Sequence, residues 1–287
     1  MKKANPASIR ASLLNFAQKE GVVFQFIIIR YLHERLLYRL SVSEYVSKFF
    51  LKGGALLYAF KGIHVRPTMD IDMSARQVQN DKETIKEIFQ HICQINYEDD
   101  CVYFEADSIV ATDITEESKY SGIRLLINAR FDSIRQRLQI DIGFGDIIIP
   151  SPITLTYPTL LSGLASPEIK AYSVETVIAE KFQAMIALGT FNSRMKDFFD
   201  VYILLKSDKV NREYLQEAII QTFKQRHTSY IENHELFSES FHKDPNRQMM
   251  WNAFMKKIRG HDFLSFETVM VLINSILQPI YENLRRQ

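Results

Sequence analysis

Apolar positions recur at helical spacing from residue 7 to 40 and again beyond residue 173, while alternation with period two prevails between them. Ile9, Leu13, Phe16 and Ala17 mark a first helix, which Gly21 ends. A second runs from about Val22 to Leu40, with Tyr31, Leu32, Leu36 and Leu37 inside and Arg30, Glu34, Arg35 and Arg39 interspersed. A short helix is predicted near Ser43 to Ser47, ahead of the apolar run Phe49-Phe50-Leu51. The glycine turn Lys52-Gly53-Gly54-Ala55 then leads into a helical stretch, Leu56 to Phe60. Pro67 disfavours helix at Arg66, and Met69-Asp70-Ile71-Asp72-Met73 alternates as a strand does. Asn80 to Ile95 carries the helical stripe Ile85, Ile88, Phe89 and Ile92. Three strands follow, over Val102–Val110, Ile123–Ala129 and Gln136–Phe144.

Pro150, Pro152 and Pro158 mark a change of character, and after Ser166-Pro167 the pattern becomes mostly helical. Ser173 is a natural N-cap for a helix that reaches about Leu188 and stops at Gly189. Further helices are predicted over about Ser193–Leu205, Asn211–Lys224, Asn246–Arg259 and Phe266–Asn283. The expected class is α+β. A small mixed sheet flanked by helices occupies residues 1–165, and a mostly helical domain occupies residues 166–287.

Composition narrows the field. Of 287 residues, 46% are hydrophobic, which supports a sizeable core, and the net charge is +1. A nucleic-acid partner would therefore need a local basic patch. Phe223-Lys224-Gln225-Arg226-His227 and Lys256-Lys257-Ile258-Arg259 are candidates, although each also reads as a solvated helix end. Cys93 and Cys101 have neither metal-site nor disulfide-framework spacing. No apolar run approaches the ~18–20 residues of a membrane span, and the start of the chain lacks a signal-peptide core. The expectation is a soluble cytoplasmic protein with no membrane partner. The seven histidines are scattered, and no P-loop, G-x-S-x-G or G-x-G-x-x-G motif occurs.

The chemistry is concentrated in acids. Side chains two apart on a strand share a face, so Asp70 and Asp72 project together, roughly 5–7 Å apart. Their repulsion at an effective dielectric of 20 is about 3 kcal/mol, which a divalent cation such as Mg2+, or Mn2+, would relieve. Asp141, alternating with Ile140 and Ile142, is the natural third carboxylate and a candidate acceptor for a hydroxyl proton. Read alone, the acid pair also fits a solvated edge strand, and the glycine pair a plain turn. Gly53-Gly54 ahead of a helix can bring backbone N–H groups to a phosphate. Lys181, on an otherwise apolar helix, is either a snorkelling surface residue or a triphosphate ligand. Arg194, Asp197 and Asp200 line one helix face, as a salt-bridge ladder or as part of a site.

This combination resembles the polymerase-β-type nucleotidyltransferase superfamily, and more narrowly the AbiEii/AbiGii family of type IV toxin–antitoxin and abortive-infection proteins. The resemblance rests on Phe50–Leu56, Arg66–Asp72, Leu138–Asp146, Glu175–Lys181 and Asn192–Asp200. It implies a nucleotidyltransferase-like fold with Asp70, Asp72 and Asp141 as metal-binding and catalytic carboxylates. Lys181 and Asp197 would join the catalytic set, and the second domain would complete the nucleotide site. Lys52, Gly53, Gly54, Arg66, Thr68, Lys181 and Arg194 would bind nucleotide, with His64 or Arg66 able to touch it. It further implies an NTP substrate, a tRNA 3′ end or other RNA as acceptor, and an antitoxin encoded nearby. Ala55 stands where the superfamily usually has Ser or Thr. Alternatives are nucleotidylation of a protein or small molecule, and a degenerate, non-catalytic nucleotide or RNA binder.

Overall fold

In the computed structural model, residues 5–62, 66–114, 122–258 and 264–286 are described. Helix α1 (Pro6–Lys19) begins where the Asn5 side chain accepts the Ala7 N–H, and α2 spans Phe24–Ser41. Strand β1 (Phe49–Lys52) runs straight into α3 (Gly53–Lys61). Then come β2 (Asp70–Ala75), α4 (Lys82–Gln94), β3 (Val102–Ile114), β4 (Gly122–Phe131), β5 (Ile134–Phe144), β6 (Ile153–Thr156) and β7 (Glu168–Ala171). The remaining helices are α5 (Val174–Leu188), α6 (Met195–Leu205), α7 (Arg212–Gln225), α8 (Glu239–Lys243), α9 (Pro245–Met255) and α10 (Phe266–Asn283).

The seven strands form one mixed sheet in the order β3-β4-β5-β2-β1-β7-β6. β2 runs parallel to β5 and antiparallel to β1, and β1 runs parallel to β7. Several short elements depart from the sequence expectation. Residues 43–47 form turns rather than a short helix. The stretch read as the onset of helices contains β7, paired with β6; strands of four residues are too short to show a period. α8 was likewise too short to register.

The chain forms two compact units, residues 1–145 with 153–171, and residues 146–152 with 172–287. In the first, α2 is a core helix rather than a half-solvated one: twelve of its 18 residues are buried. Its interspersed charges are buried with partners, although Arg35 Nε and Nη1 and Arg39 Nε make no hydrogen bond. Arg39 grips Asp100 through both guanidinium Nη atoms and donates to the Val102 carbonyl at 3.0 Å. Arg35 donates to the Ala165 carbonyl at 2.8 Å, and Glu34 accepts the Leu160 N–H at 2.7 Å. Burial still pushes the Glu34 carboxyl up to about 7, against the pull of Arg35.

In the second unit, the predicted Ser173 cap is present: its hydroxyl accepts the Thr176 N–H. An aromatic core holds α6, α9 and α10, with Phe198 and Trp251 each within 5.3 Å of the Phe266 ring centroid. Among the described residues, no helix is long and apolar enough to cross a membrane.

Candidate active site

Sheet register builds the site. Lys52 on β1 lies opposite Asp72 on β2, Asp72 lies beside Asp141 on β5, and Asp141 lies opposite Arg124 on β4. Directly paired positions share a face, so one row across four strands reads Arg–Asp–Asp–Lys. Asp70 stands two residues before Asp72 on the same face. Oxygens of Asp70, Asp72 and Asp141 all lie within 4.8 Å of one another. Three hard oxygen donors at such spacing suit Mg2+ or Mn2+ rather than a softer cation.

Each acid has further partners. Thr68 donates its hydroxyl to Asp70 Oδ1 at 2.6 Å. Arg124 forks onto Asp141, with Nε 2.8 Å from Oδ1 and Nη2 2.7 Å from Oδ2. Gln139 Nε2 reaches the same two oxygens at 3.2 and 3.1 Å. Asp141, Asp70 and Asp72 all raise the Arg124 guanidinium's proton affinity, Asp141 most. Arg124 and Gln139 are the site residues that sequence reasoning missed. A signal for Arg124 was present: the Asp132-Ser133 turn pairs Phe131 with Ile134, and counting back from it pairs 124 with 141.

The glycine turn is shaped by these acids. Gly53 has φ +64°, and a Cβ there would sit 1.8 Å from Asp72 Oδ2. At Gly54 a Cβ would fall 2.6 Å from Thr68 Oγ1 and 3.3 Å from Arg66 Nη1. Both positions therefore need glycine, one for backbone conformation and both for close approach. The start of α3 thus lies against Asp72, Thr68 and Arg66, so these residues, Lys52 and the acidic trio share one place. Ala55 is buried in the first turn of α3. His64 lies outside the described residues, as do Arg259 and His261. His33 on α2 is fully buried; burial pushes its imidazole down to about 4, against the pull of Asp70's charge.

Lys181, Arg194 and Asp197 lie in the other unit, where they form a centre of their own. Lys181 Nζ sits 2.6 Å from Asp197 Oδ1 and 2.9 Å from Asp200 Oδ2. Asp197 and Asp200 are 0% and 2% exposed and Lys181 12%, so the lysine is not a snorkelling surface residue. Arg194 Nε lies 2.7 Å from Asp197 Oδ2, an ion pair without hydrogen-bond alignment. Burial alone would raise the Asp197 carboxyl; Lys181 and Arg194 outweigh it and hold the group below the usual carboxylate range. Asp200 is as much a partner of Lys181 as Asp197 is.

An acid-x-acid strand beside a third acidic strand, with a glycine turn entering a helix at its side, is the arrangement of a nucleotidyl-transfer enzyme. The family model of the nucleotidyl transferase AbiEii toxin of type IV toxin–antitoxin systems matches residues 35–271, and the chain belongs to that family. Among solved structures it is similar to JHP933 from Helicobacter pylori, at 14% identity and a TM-score of 0.49, over 88% of this chain and 90% of that one. It is also similar to an antigenic nucleotidyltransferase-like protein from Paracoccidioides brasiliensis, at 16% identity and a TM-score of 0.37, over 67% of this chain and 88% of that one. No curated protein matches the chain.

Proposed function

We propose that this nucleotidyltransferase moves a nucleoside monophosphate from an NTP to a hydroxyl of an RNA acceptor, a tRNA 3′ end being the first candidate. It would act as the toxin of a pair whose antitoxin is its protein partner. The observation that carries the reading is the convergence of three carboxylates, with donor oxygens within 4.8 Å, beside a glycine turn at a helix start.

Asp70, Asp72 and Asp141 would hold a divalent cation, Mg2+ or Mn2+. Such a cation, when bound, neutralises triphosphate charge and polarises the attacked phosphorus. The chain's own residues supply the rest. The helix start at Gly53 and Gly54 offers backbone N–H groups to a phosphate beside Asp72 and Thr68, which fill the room a Cβ would take. Lys52 and Arg124 bracket the acids with positive charge, and Arg66 adds a guanidinium at the turn. Thr68 orients Asp70 through its hydroxyl. Asp141, once released by Arg124, can accept the proton of the attacking hydroxyl. Lys181, Arg194 and Asp197 are assigned to triphosphate binding and catalysis, and their substitution decides that assignment.

The test is incubation of the purified protein with labelled NTPs, Mg2+ and bulk tRNA. Label should enter RNA with the wild type and not with Asp70→Ala or Asp72→Ala. Label in protein or in a small molecule instead would redirect the acceptor. The double engagement of Asp141 by Arg124 and Gln139, together with Ala55, favours a second reading as a non-catalytic nucleotide binder. NTP binding that ignores Mg2+, with no turnover, would establish that one.

A further inference from the structure

The three outer strands of the sheet have two unlike faces. Ile123, Leu125, Ile127, Ala129 and Phe131 of β4 and Leu138, Ile140 and Ile142 of β5 are buried core. The alternate positions carry a different chemistry. Register pairs Arg130 with Arg135, Asn128 with Arg137, Leu126 with Gln139 and Arg124 with Asp141. On the far side of β4, Tyr103 of β3 pairs with Arg130 and Glu105 with Asn128. All these side chains therefore share the face that bears Asp141.

That face is open and basic. Arg130, Arg135 and Arg137 are exposed, and Tyr103 is 62% exposed. Against these three cations stands Glu105, ion-paired to Arg130. Arg135 also acts on Glu105 through its charge, without an ion-pair contact, and Arg137 has no ion pair among the described residues. A basic strip on a protein with a net charge of only +1 is a local feature, not a reflection of the whole. The strip also has a direction. From Arg124 to Arg130 is six strand steps, about 20 Å, and it starts at Asp141. At its far end Tyr103 and Arg130 help to wall a cavity of about 510 Å³, with Gln94 at the end of α4, Asn96 beyond it, and the acids Glu105 and Asp107.

We infer that this open face of β3, β4 and β5 is the track on which the single-stranded 3′ end of the acceptor RNA lies. The inference rests on the RNA-acceptor reading above and gives that reading a surface. Arg135 and Arg137 neutralise backbone phosphates, Tyr103 offers a ring for a base to stack on, and the strip delivers the terminal hydroxyl towards Asp141. Its length suits about four nucleotides, the short end of single-strand site sizes. A row of like charges with a single acid opposite favours a polyanion such as RNA over a protein occupant, whose surface would have to supply matching acids.

The experiment is a titration of a short single-stranded RNA, labelled at its 5′ end with fluorescein, against wild type and variants at several KCl concentrations. Each phosphate contact contributes about 0.7 to the slope of log affinity against log salt for single strands. Arg135→Gln with Arg137→Gln should therefore reduce the slope by about 1.4 and the affinity about ten-fold. Tyr103→Ala should weaken binding about five-fold or more with the slope little changed. All three side chains are exposed, so the melting temperature should hold. Should a variant not fold, photocrosslinking of 4-thiouridine RNA to the wild type should label peptides of β3, β4 and β5. Wild-type binding with unaltered slope and affinity in the variants, or crosslinks confined elsewhere, would overturn the track while leaving an RNA acceptor in place. No RNA binding by the wild type would overturn the RNA reading itself, and the track with it. Variants that keep RNA but lose a protein partner would make this face a protein interface and overturn the inference.

Discussion

Arg124 and Asp141 face each other on adjacent antiparallel strands and are joined by two short hydrogen bonds, so the third carboxylate of the site is already occupied by a cation of the protein's own. A divalent ion recruiting Asp141 must displace that guanidinium, which is 39% exposed and free to leave. Arg124→Gln is therefore expected to raise Mn2+ affinity in the absence of nucleotide. The pair is partly exposed and screened, worth about 1 kcal/mol at most, so the gain is roughly five-fold. Calorimetric titration with Mn2+ measures it; equal or weaker binding by the variant would show that Arg124 supports the metal site rather than competing for it.

The acidic trio makes activity and stability diverge. Oxygens of three carboxylates within 4.8 Å repel one another when no cation is bound. Asp70→Asn and Asp72→Asn should each cut nucleotidyl transfer by about a hundred-fold or more while raising the melting temperature of the metal-free protein. Loss of activity accompanied by lower thermal stability would mean the acids hold the fold.

Gly53 carries two constraints at once, a positive φ and contact with Asp72. Gly53→Ala is expected to cost about 1–3 kcal/mol of stability and to weaken Mn2+ binding, because Asp72 must move. Chemical denaturation and metal titration of one sample read both effects. A variant as stable and as tight as the wild type would show that the turn can relax.

Lys181 compensates two buried acids. Lys181→Met should destabilise the protein by roughly 3–5 kcal/mol at neutral pH. Asp197 is held below its ordinary range when folded. Its contribution is present above the usual carboxylate pKa and disappears as pH falls through the depressed folded value. Urea denaturation between neutral and acid pH should therefore show a wild-type decline below about pH 4 that Lys181→Met largely lacks. A parallel decline in both proteins would uncouple Asp197 from the lysine.

Glu34 has the opposite sign. Its folded carboxyl titrates at about 7, above the unfolded value, so ionising it costs stability. The folded protein should lose stability from this group as pH rises from about 4 towards 7. Glu34→Gln keeps an acceptor for the Leu160 N–H and removes the charge. It should be more stable than the wild type at pH 8, by an amount of order 2 kcal/mol, and indistinguishable near pH 4. Equal stabilities at pH 8 would mean that Arg35 fully offsets the buried charge.

The sequence by itself determined the local facts. Alternation places Asp70 and Asp72 on one face whatever the sheet does, because the strand period is two. Ser173, Gly189 and the stripe of α4 fix helix ends and faces through contacts a few residues apart. The two-residue turn at Asp132-Ser133 that sets the β4–β5 register lay inside the gap the strand pattern left between Ala129 and Gln136. Only the tertiary structure decided which strands are neighbours. The row from Lys52 to Arg124 needs β1, β2, β5 and β4 side by side, and that order comes from long-range packing that no local period encodes. The same holds for Arg35, Arg39 and Lys181. On a sequence they look like solvated charges, and burial beside partners up to 130 positions away made them interior ion pairs and hydrogen-bond donors.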